Sequence, residues 1–284
     1  MKIGIIGAGK VGTSLGKYFV SHGLSLTGFF DSYEEAAEEA ADFTGSRFYQ
    51  DLQAIVEDSD TLFLTVPDGL IRSVWKTIKD MQLTGKNICH CSGALSAADA
   101  FPEAVDKGAY AYSTHPLFAV SDKFHSYQEL EGAYFTIEGD NRRSDIIDLF
   151  SSLGNPVCQI RAEDKSRYHL AAAIVSNHMV ALMEESIQLM QQCGFTEEGA
   201  RAAFTPIVKG NISHLLETGT TASLTGPVER GDLSTIEKHL HCLNKEDQIL
   251  YKLLSRKLLA IGKRKNPDRD YSALEAELQI GRPE

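Results

Sequence analysis

Gly7-Ala8-Gly9-Lys10-Val11-Gly12 is the run whose residue types and spacing specify chemistry most directly in this chain. A short apolar segment, Lys2 to Ile6, empties into it, and each glycine has its own physical task. Gly7 permits a tight turn, Gly9 lets the backbone approach a pyrophosphate, and Gly12 lets the following helix pack closely on the strand. Free N–H groups at the start of that helix then face the phosphates. Asp31 closes the next predicted strand, Leu24–Phe30, and supplies the carboxylate that would hold adenosine ribose hydroxyls and repel a 2′-phosphate. The pattern predicts a bound dinucleotide, NAD first, with NADP kept open by Ser32, Tyr33 and the positive charge of Lys10. The bland readings are a plain strand-to-helix turn for the glycines and a strand-end cap for Asp31.

Four further segments carry polar groups where a nicotinamide ring or its reaction partner would lie. Thr114-His115-Pro116 places a histidine after a predicted strand, and a hydride transfer to C=O or C=N needs a proton donor of near-neutral pKa. His115 is therefore the first choice for the acid/base, with a buried packing role as its rival. His90-Cys91-Ser92-Gly93-Ala94-Leu95-Ser96 puts a hydroxyl directly after a strand, where Ser92 suits contact with nicotinamide or a substrate oxygen. Ser92 and Ser96 equally suit the N-cap of a helix over Ala97–Phe101. Lys165, His169, Ala173 and Asn177 recur every four residues along one helix face amid alanines and valines, so their polar groups need partners. His169 and Asn177 are read as facing substrate, with Lys165 a weaker candidate. Arg230, in Leu224–Asp232, offers a bidentate clamp for a substrate carboxylate, or else belongs to a helix–helix corner in which Asp232 caps the next helix. The remaining histidines lack metal-ligand spacing, and no metal is expected.

These residues need a scaffold that brings strand ends together. Strand and helix patterns alternate through the first half, and the buried run Thr61–Val66 ends in Pro67-Asp68, a sharp exit at the carboxyl edge of a sheet. Val66, Pro67 and Asp68 therefore join the expected cofactor contacts. The pattern predicts an α/β domain over 1–160, a doubly wound, mostly parallel sheet, and an all-helical domain over 161–284 for substrate binding or dimerisation. Helices are expected over Glu163–Cys193, Glu197–Glu217 (kinked or broken by Pro206), Asp232–Cys242 and Asn244–Ile261. The 284 residues carry a formal net charge of −11 without a basic block, which argues against nucleic-acid or membrane-surface binding. Five cysteines without CxxC spacing, and the lack of a signal-like or spanning apolar segment, predict a cytoplasmic chain with reduced thiols. The apolar stretch His169–Met183 makes a homodimer the expected assembly.

Taken in order, IGIIGAGKVGTSL, TVPDGLI, HCSGALSA, THPL, YHLAAAIVSNHMVAL and LTGPVERGD resemble a group of Rossmann-like NAD(P)-dependent oxidoreductases across nearly the whole chain. That group pairs a nucleotide domain with a helical C-terminal domain of largely unknown function, related to the domains of 6-phosphogluconate dehydrogenase, and some members look like ketopantoate reductases. The order of Ser92 before His115 is similar to prephenate dehydrogenases, in which such a serine and the histidine of a histidine-proline motif line the active site. The helix from Lys165 to Asn177 resembles the lysine and asparagine helix of ketopantoate reductases and β-hydroxyacid dehydrogenases, although Ala173 stands here at the position four before Asn177. The resemblance implies hydride transfer between nicotinamide and a small 2-oxo or 2-hydroxy acid. Its rivals are a pyrroline-carboxylate-like imine reductase, a prephenate-type dehydrogenase and a non-catalytic NAD(P) sensor.

Overall fold

The computed structural model describes residues 1–280. Its first part alternates β1 (Lys2–Ile6), α1 (Lys10–Ser21), β2 (Ser25–Phe30), α2 (Glu34–Thr44), β3 (Arg47–Phe48), α3 (Leu52–Asp58), β4 (Thr61–Leu64), α4 (Asp68–Ile78), β5 (Asn87–His90) and α5 (Ala97–Ala100). It continues with β6 (Tyr110–Pro116), β7 (Phe135–Gly139), α6 (Asp145–Ser152) and β8 (Val157–Gln159). These strands form one sheet in the order β3-β2-β1-β4-β5-β6-β7-β8. Every neighbouring pair is parallel except β6 with β7.

The central strands are covered on both faces, which is why they read as nearly continuous apolar runs. Side chains still alternate between faces. Ile3 and Ile5 of β1 and Phe63 of β4 join Leu15, Phe19 and Phe150 in one core, while Ile6, Leu62 and Leu64 join Trp75, Ile88 and Phe101 in the other. Because β1, β4, β5 and β6 run parallel, the turns after β1, β4 and β5 and the end of β6 share one edge of the sheet, the edge at which such folds bind ligands.

Two details differ from the sequence expectation. The strand expected to end before Thr114-His115-Pro116 runs on through Pro116, since antiparallel pairing with β7 sets His115 opposite Thr136. His115 therefore lies within the strand instead of beyond it. The three-residue β8 was also not expected; a run of that length carries too little alternation to be recognised.

The helical part comprises α7 (Lys165–Gln192), α8 (Glu197–Ser223), α9 (Pro227–Arg230), α10 (Leu233–His241), α11 (Lys245–Lys265) and α12 (Ser272–Glu277). Pro206 lies inside α8 without ending it; the non-helical residue there is Gly219, with φ 81° and ψ 172°. Asp232 caps α10 by accepting from the Thr235 N–H, as its position predicts. Two compact units cover 1–182 and 183–284, a division that falls inside α7. The second unit has its own apolar cluster, including Val228, Ile236, Leu259 and Leu274. Among the described residues no helix is long and apolar enough to cross a membrane.

Candidate active site

Sterics around the glycines are those of a dinucleotide cradle. Gly7 has φ +111°, a conformation side chains rarely adopt, and a Cβ there would lie 2.8 Å from the Thr65 carbonyl carbon. A Cβ on Gly12 would run into the Gly7 carbonyl oxygen and lie 2.5 Å from Thr65 Oγ1. On Gly9 the same atom would meet nothing within 4 Å, so the approach to the loop is open where a pyrophosphate would lie. Gly9 is also the N-cap of α1 and offers no side chain to its N–H groups, leaving them for an anion. Asp31 Oδ2 accepts the Ala8 N–H at 2.7 Å, and Oδ1 accepts the Tyr33 N–H at 2.9 Å. The carboxylate thus shapes the loop and keeps lone pairs for ribose hydroxyls. Lys10 and Val11 open α1, Val66 follows β4, Pro67 caps α4, and Asp68 begins it.

A second constellation lies at the ends of β5 and β6 and in the first turns of α7. His115 Nδ1 is 2.7 Å from the Tyr168 hydroxyl, with the two rings edge to face at 5.5 Å. The His169 ring centroid lies 6.4 Å from that of His115. Gly93 makes room for both imidazoles, because a Cβ there would lie 2.6 Å from His169 Cδ2 and 2.9 Å from His115 Nε2. A cavity of about 640 Å³ is lined by His115, Phe118, Tyr168, His169, Ser176 and Asn177 among others, a size suited to a small molecule. Burial pushes the His115 imidazole down to about 4, helped by the nearby positive charge of Lys165 and by His169, and opposed by Asp68. His115 is therefore neutral at pH 7. Burial raises the Tyr168 hydroxyl above its ordinary 10, so it keeps its proton through the neutral range.

Comparisons with known proteins bear on the fold that carries this geometry. Residues 1–87 match the model described as an oxidoreductase family, NAD-binding Rossmann fold. The sheet-bearing part of the chain has the NAD-binding Rossmann fold. Residues 133–258 match a domain of unknown function (DUF2520), so the 6-phosphogluconate dehydrogenase kinship rests on motif resemblance alone. Among solved structures, a Thermotoga maritima protein is 24% identical with a TM-score of 0.71, covering 93% of this chain and 99% of that one. A Bacteroides fragilis protein described as an NADP oxidoreductase is 20% identical with a TM-score of 0.67, covering 92% and 98%. A pyrroline-5-carboxylate reductase from Coxiella burnetii is 17% identical with a TM-score of 0.62, covering 93% and 97%. Among curated proteins none matches the chain.

Within this fold the sequence-derived candidates separate. His115, His169 and Asn177 line the same cavity. Ser92 is adjacent but committed: its hydroxyl donates to Asp68 Oδ2 at 2.6 Å and accepts from the Ala94 and Leu95 N–H groups at 3.2 and 3.0 Å. Asp68 is correspondingly occupied by Ser92. Ser96 caps α5, accepting from the Asp99 N–H. Lys165 is only 1% exposed and turns into the sheet edge, not into the cavity, with Nζ 2.8 Å from the Ser92 carbonyl. Arg230 belongs to the second unit and lies 3.9 Å from Asp232. Tyr168 was missed. The signal available was its place one residue before His169 and one turn after Lys165; what makes it chemical is a partner 53 residues away in β6.

Proposed function

We propose that this chain reduces the carbonyl of a small 2-oxo acid of ketopantoate type, or oxidises the corresponding 2-hydroxy acid, with substrate held in the cavity beside His115 and Tyr168. The observation that carries this reading is the 2.7 Å contact between His115 and Tyr168 at the sheet edge that also bears the dinucleotide loop. When bound, the nicotinamide supplies or takes up the hydride. The chain's own task is to move a proton to the oxygen on which negative charge builds. Tyr168 is suited to donate it because its hydroxyl remains protonated at neutral pH. His115 stands behind it as a neutral relay: with the proton assigned to Nδ1, it donates to the Tyr168 oxygen while that hydroxyl points to substrate, and as Tyr168 gives up its proton the Nδ1 proton passes to the Tyr168 oxygen and Nε2 takes one up from solvent. His169 and Asn177 are assigned to substrate carboxylate and oxygen. The committed hydroxyl of Ser92 shapes the turn that carries Gly93 and, through Asp68, the start of α4.

A second reading, reduction of a cyclic imine carboxylate, is favoured by the likeness to the Coxiella burnetii pyrroline-5-carboxylate reductase over 93% of this chain. The ammonium of Lys165 tilts the choice toward an uncharged carbonyl, since a cationic iminium gains less beside a positive charge. The test is oxidation of NADH and NADPH, followed at 340 nm, with a panel of 2-oxo acids including ketopantoate and a cyclic imine. Turnover on a 2-oxo acid supports the first reading and turnover on the imine alone supports the second. Binding without turnover means a sensor.

We further propose NAD as the preferred cofactor, because Asp31 closes β2 and Glu34 and Glu35 open α2, all disfavouring a 2′-phosphate. A second copy of this chain is the proposed partner for α7, around whose circumference Ile174, Val175 and Val180 are 50%, 69% and 69% exposed. Light scattering after gel filtration tests that assembly. A reducing, cytoplasmic setting fits the five free cysteines.

A further inference from the structure

Lys165, the first residue of α7, is 1% exposed, and an ammonium in such a place must be hydrogen-bonded or paired to be tolerated. Its Nζ donates to the Ser92 carbonyl at 2.8 Å and to Ser113 Oγ at 2.5 Å, and Ser113 Oγ donates to the same Ser92 carbonyl at 3.1 Å. Three elements therefore meet at one oxygen: the turn after β5, strand β6 and the start of α7. The remaining polar atoms of Ser92 are engaged as well, its N–H donating to His90 Nδ1 at 3.1 Å and its hydroxyl to Asp68.

We infer that Lys165 is a positioning residue for the His115–Tyr168 pair, tying the helix that carries Tyr168 and His169 to the turn that carries Gly93 and to the strand that carries His115. The spacing makes this effective. Tyr168 lies three residues after Lys165, on the adjacent turn of the same face, so anchoring one side chain fixes the phase of the other. Ser113 and His115 are two apart in β6 and project to the same side of the sheet, so the strand is held at the neighbouring position on that face. The anchor also brings charge. The groups around the ammonium are Asp68 of α4, His90 and Cys91 at the end of β5, His115 of β6, Glu138 of β7, and Tyr168 and His169 of its own helix. Burial pushes Lys165 down to about 8, with Glu138 and Asp68 drawing it back up, so it is mostly charged at neutral pH and adds to the burial that keeps His115 neutral.

The inference rests on the proposed reductase reading for its turnover arm alone; the titration of His115 needs no substrate. The full chain, with ¹³C-labelled histidine and the His115 signal assigned by loss in His115→Gln, is titrated by NMR as wild type, Lys165→Met, Lys165→Arg and Ser113→Ala. In folded Lys165→Met the His115 midpoint is expected to rise from about 4 by at least about one pH unit. Lys165→Arg restores the charge and returns the midpoint toward the wild-type value. Ser113→Ala keeps the cation but removes one of its acceptors: the His115 midpoint stays low while turnover falls on the order of tenfold from misplacement of the pair. A folded Lys165→Met with an unmoved His115 midpoint overturns the inference. Should Lys165→Met not fold, Ser113→Ala decides by its turnover, and a wild-type rate there overturns the inference equally. A chain that titrates as expected but turns over no substrate refutes the reductase reading and leaves the positioning role intact.

Discussion

Replacing Tyr168 by Phe removes one oxygen and leaves the ring that packs edge to face on His115 at 5.5 Å. What is lost structurally is the 2.7 Å hydrogen bond to His115 Nδ1, worth about 1 kcal/mol net for a neutral pair. The stability change should therefore be modest, with the melting temperature falling by only a few degrees. Catalysis is a different matter. If Tyr168 hands its proton to the developing alkoxide, the variant loses general-acid catalysis, typically about 10²–10⁴-fold in turnover. At about 1.36 kcal/mol per tenfold this is roughly 2.7–5.4 kcal/mol of barrier, several times the packing and hydrogen-bond loss. The assay is steady-state oxidation of reduced nicotinamide on the best substrate of the panel, with kcat and KM separated. A fall in kcat with little change in KM is expected, because the proton moves in the transition state and not on binding. A Tyr168→Phe enzyme within threefold of wild type in kcat would refute the assignment of Tyr168 as donor, whatever happened to stability.

Other sites give independent checks. Gly93→Ala places a methyl 2.6 Å from His169 and 2.9 Å from His115, so both imidazoles must turn; activity should drop by on the order of 10–100-fold with the circular dichroism spectrum retained. Gly12→Ala drives a methyl into the Gly7 carbonyl, and overpacking of this kind costs about 1–3 kcal/mol, to be read as a lower denaturation midpoint together with weaker dinucleotide binding. Asp31→Asn replaces one acceptor oxygen by an amide nitrogen, disturbing its contacts to the Ala8 and Tyr33 N–H groups; NADH affinity should fall more than NADPH affinity, as fluorescence titration would show. His115 and His90 are held near 4 and 3 in the folded chain, below the ordinary 6.5, so the unfolded chain binds more protons between those values. The stability these groups contribute is fully present above pH 6.5 and is lost as pH falls through 4 and then 3, visible as a falling melting temperature that His115→Gln makes shallower.

The glycine loop was legible because each glycine answers a local demand, a positive φ at Gly7 or a close approach at Gly12, that hardly any other residue meets. Asp232 as a cap and the alternation of the first half were legible for the same reason: their causes lie within a few residues. His115 was located by type and neighbourhood, whereas its environment was not legible. Histidine was chosen for a pKa near 7, while burial and the Lys165 charge move it to about 4, which is why the proposed mechanism gives the donor role to its neighbour Tyr168. Those causes lie 50 or more residues away in sequence. Lys165 itself looked like a polar residue on a helix face, and its acceptors, Ser92 and Ser113, become visible once the strands are in register. Pro206 does not break its helix, because α8 runs on through that proline, and the interruption in backbone angles falls at Gly219 instead.

The most direct test of the account carries deuterium on C4 of NADH, on each face in turn, into a single-turnover reaction with the best 2-oxo acid, and reads the product by mass spectrometry and NMR. The account predicts deuterium on C2 of the 2-hydroxy acid from one face of the nicotinamide, with an unlabelled hydroxyl proton drawn from solvent. Tight NADH binding with no label in any product across the panel would contradict it.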